Sequence, residues 1–431
     1  MQRNMRAACL PLALLLGAAS CNGFLTGDKL SSNPNYPTNS TVQTVFVGAQ
    51  AGMYALHEGT IAMQVCEWVQ ACGATNGRYV EQLGRYDYGN ASNIGANVAD
   101  WFLVYDQGGL VDIRAVETAA RAAGDSIYLG IAKIWEAYTI GMAADMWGSV
   151  PYTQALNPTI ATPKLDPQFA IYDSVQSLLR QAIVELGSGK ATLPTAPDLL
   201  FGGDPPSWIG VAYTLRARYW MHVANAADSG VVPGRPKGTW AFDSAVAAAT
   251  LGISDATGAH DFRSVHDRPT FSQNMWEQFQ SSSGFGGDLE AGFPLVDYMK
   301  RRNDPRLGSY FCTNGVATPW KATTAFTAGT VILDANGRME LVTVGGTSGA
   351  AAPTWATTMD ATTVDGTVTW VNNGPPYEGD IFSNTVTSRD SAVIGVGVSS
   401  FGCLPPGRFG VTASVPFVTY EENQLILAEA R

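Results

Sequence analysis

The sequence predicts a mostly α protein: a stack of antiparallel helical hairpins with long loops and one small all-β insertion. Three observations carry this. Apolar residues recur at steps of three and four through several long segments. Helix stop and start residues, Gly, Pro and Asp, fall between those segments. One stretch, residues 320–374, changes composition and holds 13 Thr in 55 residues, alternating with Val and others as strands do.

Val42 to Leu56 reads as a first helix. Residues 73–96 are loop-like, rich in Gly, Asn, Tyr and Arg. Asn97 to Ala123 reads as one helix, with Trp101, Tyr105, Leu110, Ile113 and Val116 near one stripe. Asp125 to Met146 follows, with Ile127, Ile131, Ile134, Trp135, Tyr138, Met142 and Met146 at helical spacing. Gly148 and Pro151 break it. Asp166 is expected as the next N-cap, with Pro167 in the first helical position and Tyr172, Val175, Leu179, Ile183 and Leu186 facing inward. Ser207 is expected to cap a helix that buries Trp208, Val211, Leu215, Tyr219 and Val223, and residues 240–251 give another. Small Ala/Gly contacts and aromatic knobs between such pairs resemble a tetratricopeptide-like stack. Trp101, Trp135, Trp147 and Trp208 are expected in the core. Asp145 and Asp304 are expected at helix ends or turns, bound to backbone N–H. Within the Thr-rich segment, Thr330–Leu333 and Gly366–Val371 read as strands, and Trp355 and Trp370 as its small core.

With 431 residues, 46% hydrophobic and mean hydropathy +0.01, the chain can bury a sizeable core. Its net charge of -11 argues against a general nucleic-acid binder, which needs a basic footprint. The N-terminus reads as an address: Arg3 and Arg6, a short apolar run from Leu10 to Gly17, then Ala18-Ala19-Ser20-Cys21. This pattern resembles a bacterial lipobox. Residues 1–20 would be removed as a signal peptide, Cys21 lipidated, and residues 21–40 left as a tether rich in Asn, Ser, Thr and Pro. Removal takes away two Arg and no acid, giving -11 - 2 = -13.

Four cysteines remain outside the signal and Cys21, allowing three pairings. Cys66–Cys72 with Cys312–Cys403 is favoured, because the second pair would bracket the β insertion. Metal binding is the rival reading, weakened by the lack of a CxxC or a His cluster. The four His form no ligand pair at metal spacing, and no Walker A sequence or nucleophile elbow is present. Carboxylates are plentiful, so a hydrolase pair is not excluded by residues alone. No cofactor is expected.

Several segments, in order, resemble the SusD/RagB family of outer-membrane nutrient-binding lipoproteins. They are Ala143-Ala144-Asp145-Met146-Trp147-Gly148-Ser149-Val150-Pro151-Tyr152-Thr153-Gln154-Ala155; Pro163-Lys164-Leu165-Asp166-Pro167-Gln168 leading to Ile171-Tyr172; Trp208 to Arg218; Val296-Asp297-Tyr298-Met299 with Asn303-Asp304-Pro305-Arg306; and Tyr420-Glu421-Glu422-Asn423-Gln424 to Ala430. The resemblance covers about 42–315 and 377–431. It divides the chain into a signal (1–20), a tether (21–40), a helical domain (41–317), the inserted β module (318–375) and the helical domain continued (376–431). The chain stops at Arg431 inside an apolar helix, where family members continue, so truncation is expected.

The resemblance implies a lipid-anchored outer-membrane protein facing the cell exterior. It would bind an oligosaccharide and pass it to a SusC-like TonB-dependent transporter, with no catalytic residues and no metal. Peptide binding within the same family is the alternative, and a secreted glycosidase or peptidase is a further one. Two loops match where the family places ligand contacts. Residues 73–96 offer Asn76, Arg78, Tyr79, Tyr86, Tyr88 and Asn93, together with Arg85 and Asn90; residues 262–288 offer Trp276 and Phe279, together with Phe271, Asn274 and Gln278. Aromatic rings suit sugar C–H faces, and amides and guanidinium groups suit hydroxyls.

Overall fold

The computed structural model describes residues 40–74, 95–106, 108–267, 272–281, 289–316, 318–379 and 410–431. The expected signal peptide (1–20), Cys21 and nearly all of the expected tether (21–40) lie outside them. Helix α1 (Val42–Glu58) begins at Thr41, whose hydroxyl accepts from Thr44 N at 3.2 Å. It turns at Gly59 into α2 (Thr60–Trp68), which leads to strand β1 (Cys72–Ala74).

The single helix expected over 97–123 is two: α3 (Gly95–Tyr105) and α4 (Leu110–Ala123). Gly108 takes φ +81°, which only glycine adopts freely, and its backbone presses on Gly52 of α1: a Cβ at Gly52 would lie 2.6 Å from Gly108 Cα. Close approach of two backbones decided the break, and helical spacing in the sequence does not register that.

Helix α5 (Ser126–Trp147) starts at Asp125, as expected. One carboxylate oxygen of Asp125 accepts from Tyr128 N at 2.8 Å; the other takes Thr192 N and Leu193 N at 2.6 and 2.8 Å. A short ladder of β2 (Val150–Pro151) and β3 (Leu165–Asp166) precedes α6 (Gln168–Ser188). Here Asp166 is not the N-cap. It sits in β3, and its carboxylate accepts from Tyr152 N and Thr153 N at 3.0 and 2.7 Å, while Pro167 takes the cap position. Ser207 is likewise displaced. Asp204 caps α7 (Pro205–Ser229), accepting from Ser207 N at 3.0 Å, and two prolines open the helix. Helix α8 (Trp240–Ala249) follows.

These helices pack as antiparallel neighbours. The start of α5 bonds to the end of α6 (Ser126 N to Lys190 O, 2.9 Å), and the start of α6 bonds to the end of α5 (Gln168 Nε2 to Ala144 O, 2.8 Å). Gly130 and Gly141 of α5 receive Leu186 and Tyr219; a Cβ at Gly141 would stand 2.2 Å from the Tyr219 ring. Such overpacking costs about 1–3 kcal/mol. Trp135 and Trp208 are buried, as expected, whereas Trp101 and Trp147 are only partly covered and meet edge to face at 5.2 Å. Asp145 does not bind backbone N–H. It accepts from Tyr172 Oη at 2.7 Å and faces His222 Nδ1 at 2.9 Å, joining α5, α6 and α7. Asp304 does fill the expected turn role, accepting from Arg306 N at 2.9 Å.

Between α4 and α5, Glu136 accepts from Arg114 Nε at 2.9 Å and from Tyr152 Oη at 3.1 Å. Beside it Glu117 is buried. Burial first, and then the neighbouring Glu136, hold its carboxyl well above the ordinary value of 4.5. The folded protein therefore keeps a proton that the unfolded chain gives up, and stability falls as pH rises above the ordinary value. Glu117→Gln is expected to flatten that slope. Urea denaturation at about pH 5 and about pH 8 checks it, and equal slopes in both proteins would refute it.

Strand β4 (Phe262–Arg263) precedes α9 (Met275–Ser281), β5 (Leu289–Ala291), α10 (Phe293–Arg301) and α11 (Leu307–Tyr310). The Thr-rich segment then forms β6 (Ala325–Phe326), β7 (Val331–Leu333), β8 (Met339–Val344), β9 (Gly346–Thr347), β10 (Thr362–Asp365) and β11 (Val368–Asn372). Four of these make an antiparallel sheet in the order β10-β11-β8-β7. The strand expected over Gly366–Val371 begins two residues later, because Gly366 (φ +60°) and Thr367 form the hairpin turn. Trp355 and Trp370 meet edge to face at 5.6 Å in the module's core. Asp365, buried with them, accepts from both Trp320 Nε1 (2.7 Å) and Trp370 Nε1 (3.3 Å). The chain closes with β12 (Pro416–Val418), paired to β4, and α12 (Tyr420–Ala430). Among the described residues no helix is long and apolar enough to cross a membrane.

Candidate functional site

The two loops singled out in the sequence are far apart along the chain, and the fold brings their roots together. Strand β1 pairs antiparallel with β5 in the register Cys72↔Ala291, Gly73↔Glu290, Ala74↔Leu289. Ala74 is the last described residue before 75–94, and Leu289 is the first after 282–288. The two segments thus leave the described fold from paired backbone positions.

Three things fix this stem. The first is a disulfide between Cys66 and Cys72, with Cα atoms 5.2 Å apart. It ties β1 back to α2. The second is a small core of Met63, Cys72, Trp276 and Leu289, with Phe279 partly buried against it. The third is Asn274, fully buried at the start of α9. Its Oδ1 accepts from Trp276 N (2.8 Å) and Glu277 N (3.1 Å), and its Nδ2 donates to Ala413 O (2.7 Å). The second expected loop, residues 262–288, is not loop throughout, since β4 and α9 fall within it; Ser264 and His266, between those two elements, are held the same way. Glu58 of α1, 1% exposed, sits 2.9 Å from His266 Nε2, and Ser264 N bonds Val415 O at 2.9 Å. Burial pushes the His266 imidazole down, but the hydrogen bond and charge of Glu58 outweigh it and raise its pKa.

Of the expected contact residues, Asn76, Arg78, Tyr79, Tyr86, Tyr88 and Asn93 lie outside the described residues, as do Arg85, Asn90 and Phe271. Trp276 is 6% exposed, so it holds the stem and does not offer an open ring face. Beside the disulfide lies an apolar cavity of about 420 Å³, with Val65, Cys66, Val69, Trp276, Leu295 and Tyr310 in its wall. Cys312 is also disulfide-bonded, and Cys403, its expected partner, lies outside the described residues. Glu58 and His266, separated by 208 positions, carry no sequence signal that would pair them.

A second polar constellation resembles hydrolase chemistry only in composition. Ser207 Oγ lies 2.5 Å from Asp204 Oδ2 and 2.7 Å from His260 Nδ1. The hydroxyl stands between acid and imidazole and donates its one proton to Asp204. The imidazole then faces a donor-spent oxygen, the wrong order for a base that activates a nucleophile. No three His, Cys, Asp or Glu side chains among the described residues converge as metal ligands.

A family model described as starch-binding and associating with the outer membrane matches residues 34–335. The fold is similar to that of a SusD/RagB family protein from Bacteroides thetaiotaomicron, at 19% identity and TM-score 0.60, covering 91% of this chain and 67% of that one. It is similar to a chitin-binding protein at 19% identity and TM-score 0.60, covering 90% and 70%. It is also similar to a SusD homolog from Bacteroides fragilis at 18% identity and TM-score 0.57, covering 91% and 68%. No curated protein matches the chain.

Proposed function

This chain belongs to the SusD-like family, and on that premise we propose that it binds nutrient oligosaccharides at the paired loops and delivers them to a SusC-like TonB-dependent transporter. It does so as an outer-membrane lipoprotein anchored through Cys21 and facing the cell exterior, and it does not turn its ligand over. The observation that carries the loop site is the register Ala74↔Leu289, which roots both loops at one place. A rigid, disulfide-braced stem carrying one loop rich in Tyr, Asn and Arg suits recognition of sugars. Little ordering entropy is left to spend at the stem, and the rings and amides match C–H faces and hydroxyls. A chitin-binding protein of similar fold supports a saccharide over a peptide.

Calorimetry with starch- and chitin-derived oligosaccharides tests this reading. Tyr86→Ala and Tyr88→Ala are each expected to weaken binding by about tenfold, the size of one lost stacking contact with its hydrogen bond. Trp276→Ala is expected to weaken it through the stem. Unchanged affinity in all three variants rejects the site. Release of shortened sugars by the purified protein rejects the non-catalytic reading, and binding of peptides alone favours the alternative ligand.

A further inference from the structure

A groove of about 540 Å³ lies on the helical body between α6, α7 and α8, built from elements that the loop stem does not use. Its walls include Asp173, Gln176, Arg180, Trp220, Arg235 and Trp240. Trp220 and Trp240 form a corner, rings 5.8 Å apart and nearly perpendicular. Both are only partly buried. Trp240 is held in place from two sides. Its Nε1 donates to Pro236 O at 2.8 Å, and the Arg235 guanidinium lies 5.4 Å over its ring, itself fixed by Asp173 at 3.0 Å.

Arg180 of α6 adds a second guanidinium to the lining, and Asp173, the acid of that helix in the lining, is already paired with Arg235. Arg180 is exposed and forms no ion pair with a described residue. Arg216, half-buried, donates from Nε to Oε1 of the lining residue Gln176 at 3.2 Å, a neutral acceptor. Gln176 is itself fixed by donating to Arg216 O at 2.9 Å. Arg216 is depressed by burial first and by the charge of Arg180 second. This occurs in a chain of 37 acids against 26 bases, where a carboxylate partner would be easy to supply. An aromatic corner and a forked cation with no ion pair among the described residues line one groove, and these are the two features that an acidic sugar needs: a surface for C–H groups and a bidentate donor for a carboxylate.

We propose that this groove is a second saccharide site, selective for oligosaccharides bearing carboxylates, such as uronates. The choice of a saccharide rests on the function proposed above, but the site does not depend on the loops.

The test is calorimetry of the protein with oligogalacturonate and with the same oligosaccharide fully methyl-esterified, which removes the charge and keeps the ring. Binding of the acid form is expected to exceed that of the ester by about tenfold and to weaken as salt rises. Arg180→Gln is expected to erase the difference between acid and ester, and Arg180→Lys to retain part of it, because the charge survives and the fork does not. Trp240→Ala is expected to weaken both forms, with far-UV dichroism confirming the fold. The pair Tyr86→Ala and Tyr88→Ala is expected to leave oligogalacturonate binding in place, which separates this site from the loop site. Equal affinity for acid and ester, no binding of either, or unchanged selectivity in Arg180→Gln overturns the proposal. Equal or tighter binding of hexaglutamate through Arg180 overturns the saccharide assignment.

Discussion

Glu378→Ala is expected to destabilise the protein by about 3–5 kcal/mol, the cost of leaving one member of a buried ion pair alone. Lys300 Nζ in α10 lies 2.9 Å from Glu378 Oε1, and the two side chains are 3% and 2% exposed. Asn373 Nδ2 adds a contact to the same carboxylate oxygen at 3.2 Å. With the carboxylate gone, the Lys300 ammonium has neither water nor another anion among the described residues. It must give up its proton or open the structure, and both are costly. Urea denaturation followed by tryptophan fluorescence gives the value. Glu378→Gln is expected to lose less, since it keeps an acceptor. The double variant Lys300→Met with Glu378→Leu is expected to recover most of the loss, because a matched apolar pair has no stranded charge. A single-variant loss under about 1 kcal/mol would mean that water reaches the pair after all.

The second large effect is expected at Glu422→Ala, at about 3 kcal/mol. That is the lower end of the same range, because both partners keep some contact with water. Arg218 of α7 donates from Nε and an Nη to the two oxygens of Glu422 at 2.5 and 2.6 Å, and to Phe417 O at 2.5 Å. Its guanidinium also lies 5.7 Å over the Tyr138 ring. One side chain therefore holds β12 and α12 against helices laid down some 200 residues earlier. Loss of the carboxylate is expected to release α12 first. Hydrogen exchange should then show faster exchange at Asn423 and Ile426, which are buried in the native fold, before global unfolding. Uniform loss of protection across all helices would contradict this order.

The helical frame was legible because long amphipathic segments advertise their period and because Asp125 and the Gly/Pro breaks are local signals. What failed was decided by distant partners. The break between α3 and α4 answers to Gly52, 56 positions from Gly108. Asp166 has the composition of an N-cap, but the neighbouring strand presents two unpaired N–H groups closer at hand. In the candidate region, the residue types of the 73–96 loop could be read directly, since Tyr, Asn and Arg without aliphatic spacing do not make a core. Their common root could not, because a three-residue ladder between Cys72–Ala74 and Leu289–Ala291 leaves no pattern in either segment alone. The Trp-lined groove was invisible for a similar reason. Trp220 and Trp240 lie in separate helices, 20 positions apart, and only the packing of α7 on α8 turns them into a corner.

The β module enters and leaves its host at one point: just before it Asn314 N donates to Pro376 O just after it, at 2.8 Å. The chain ends on either side of the β segment are thus already almost joined, and a single hydrogen bond closes the gap between them. Exchange of that segment for another of equal footing would leave the path of the surrounding chain untouched.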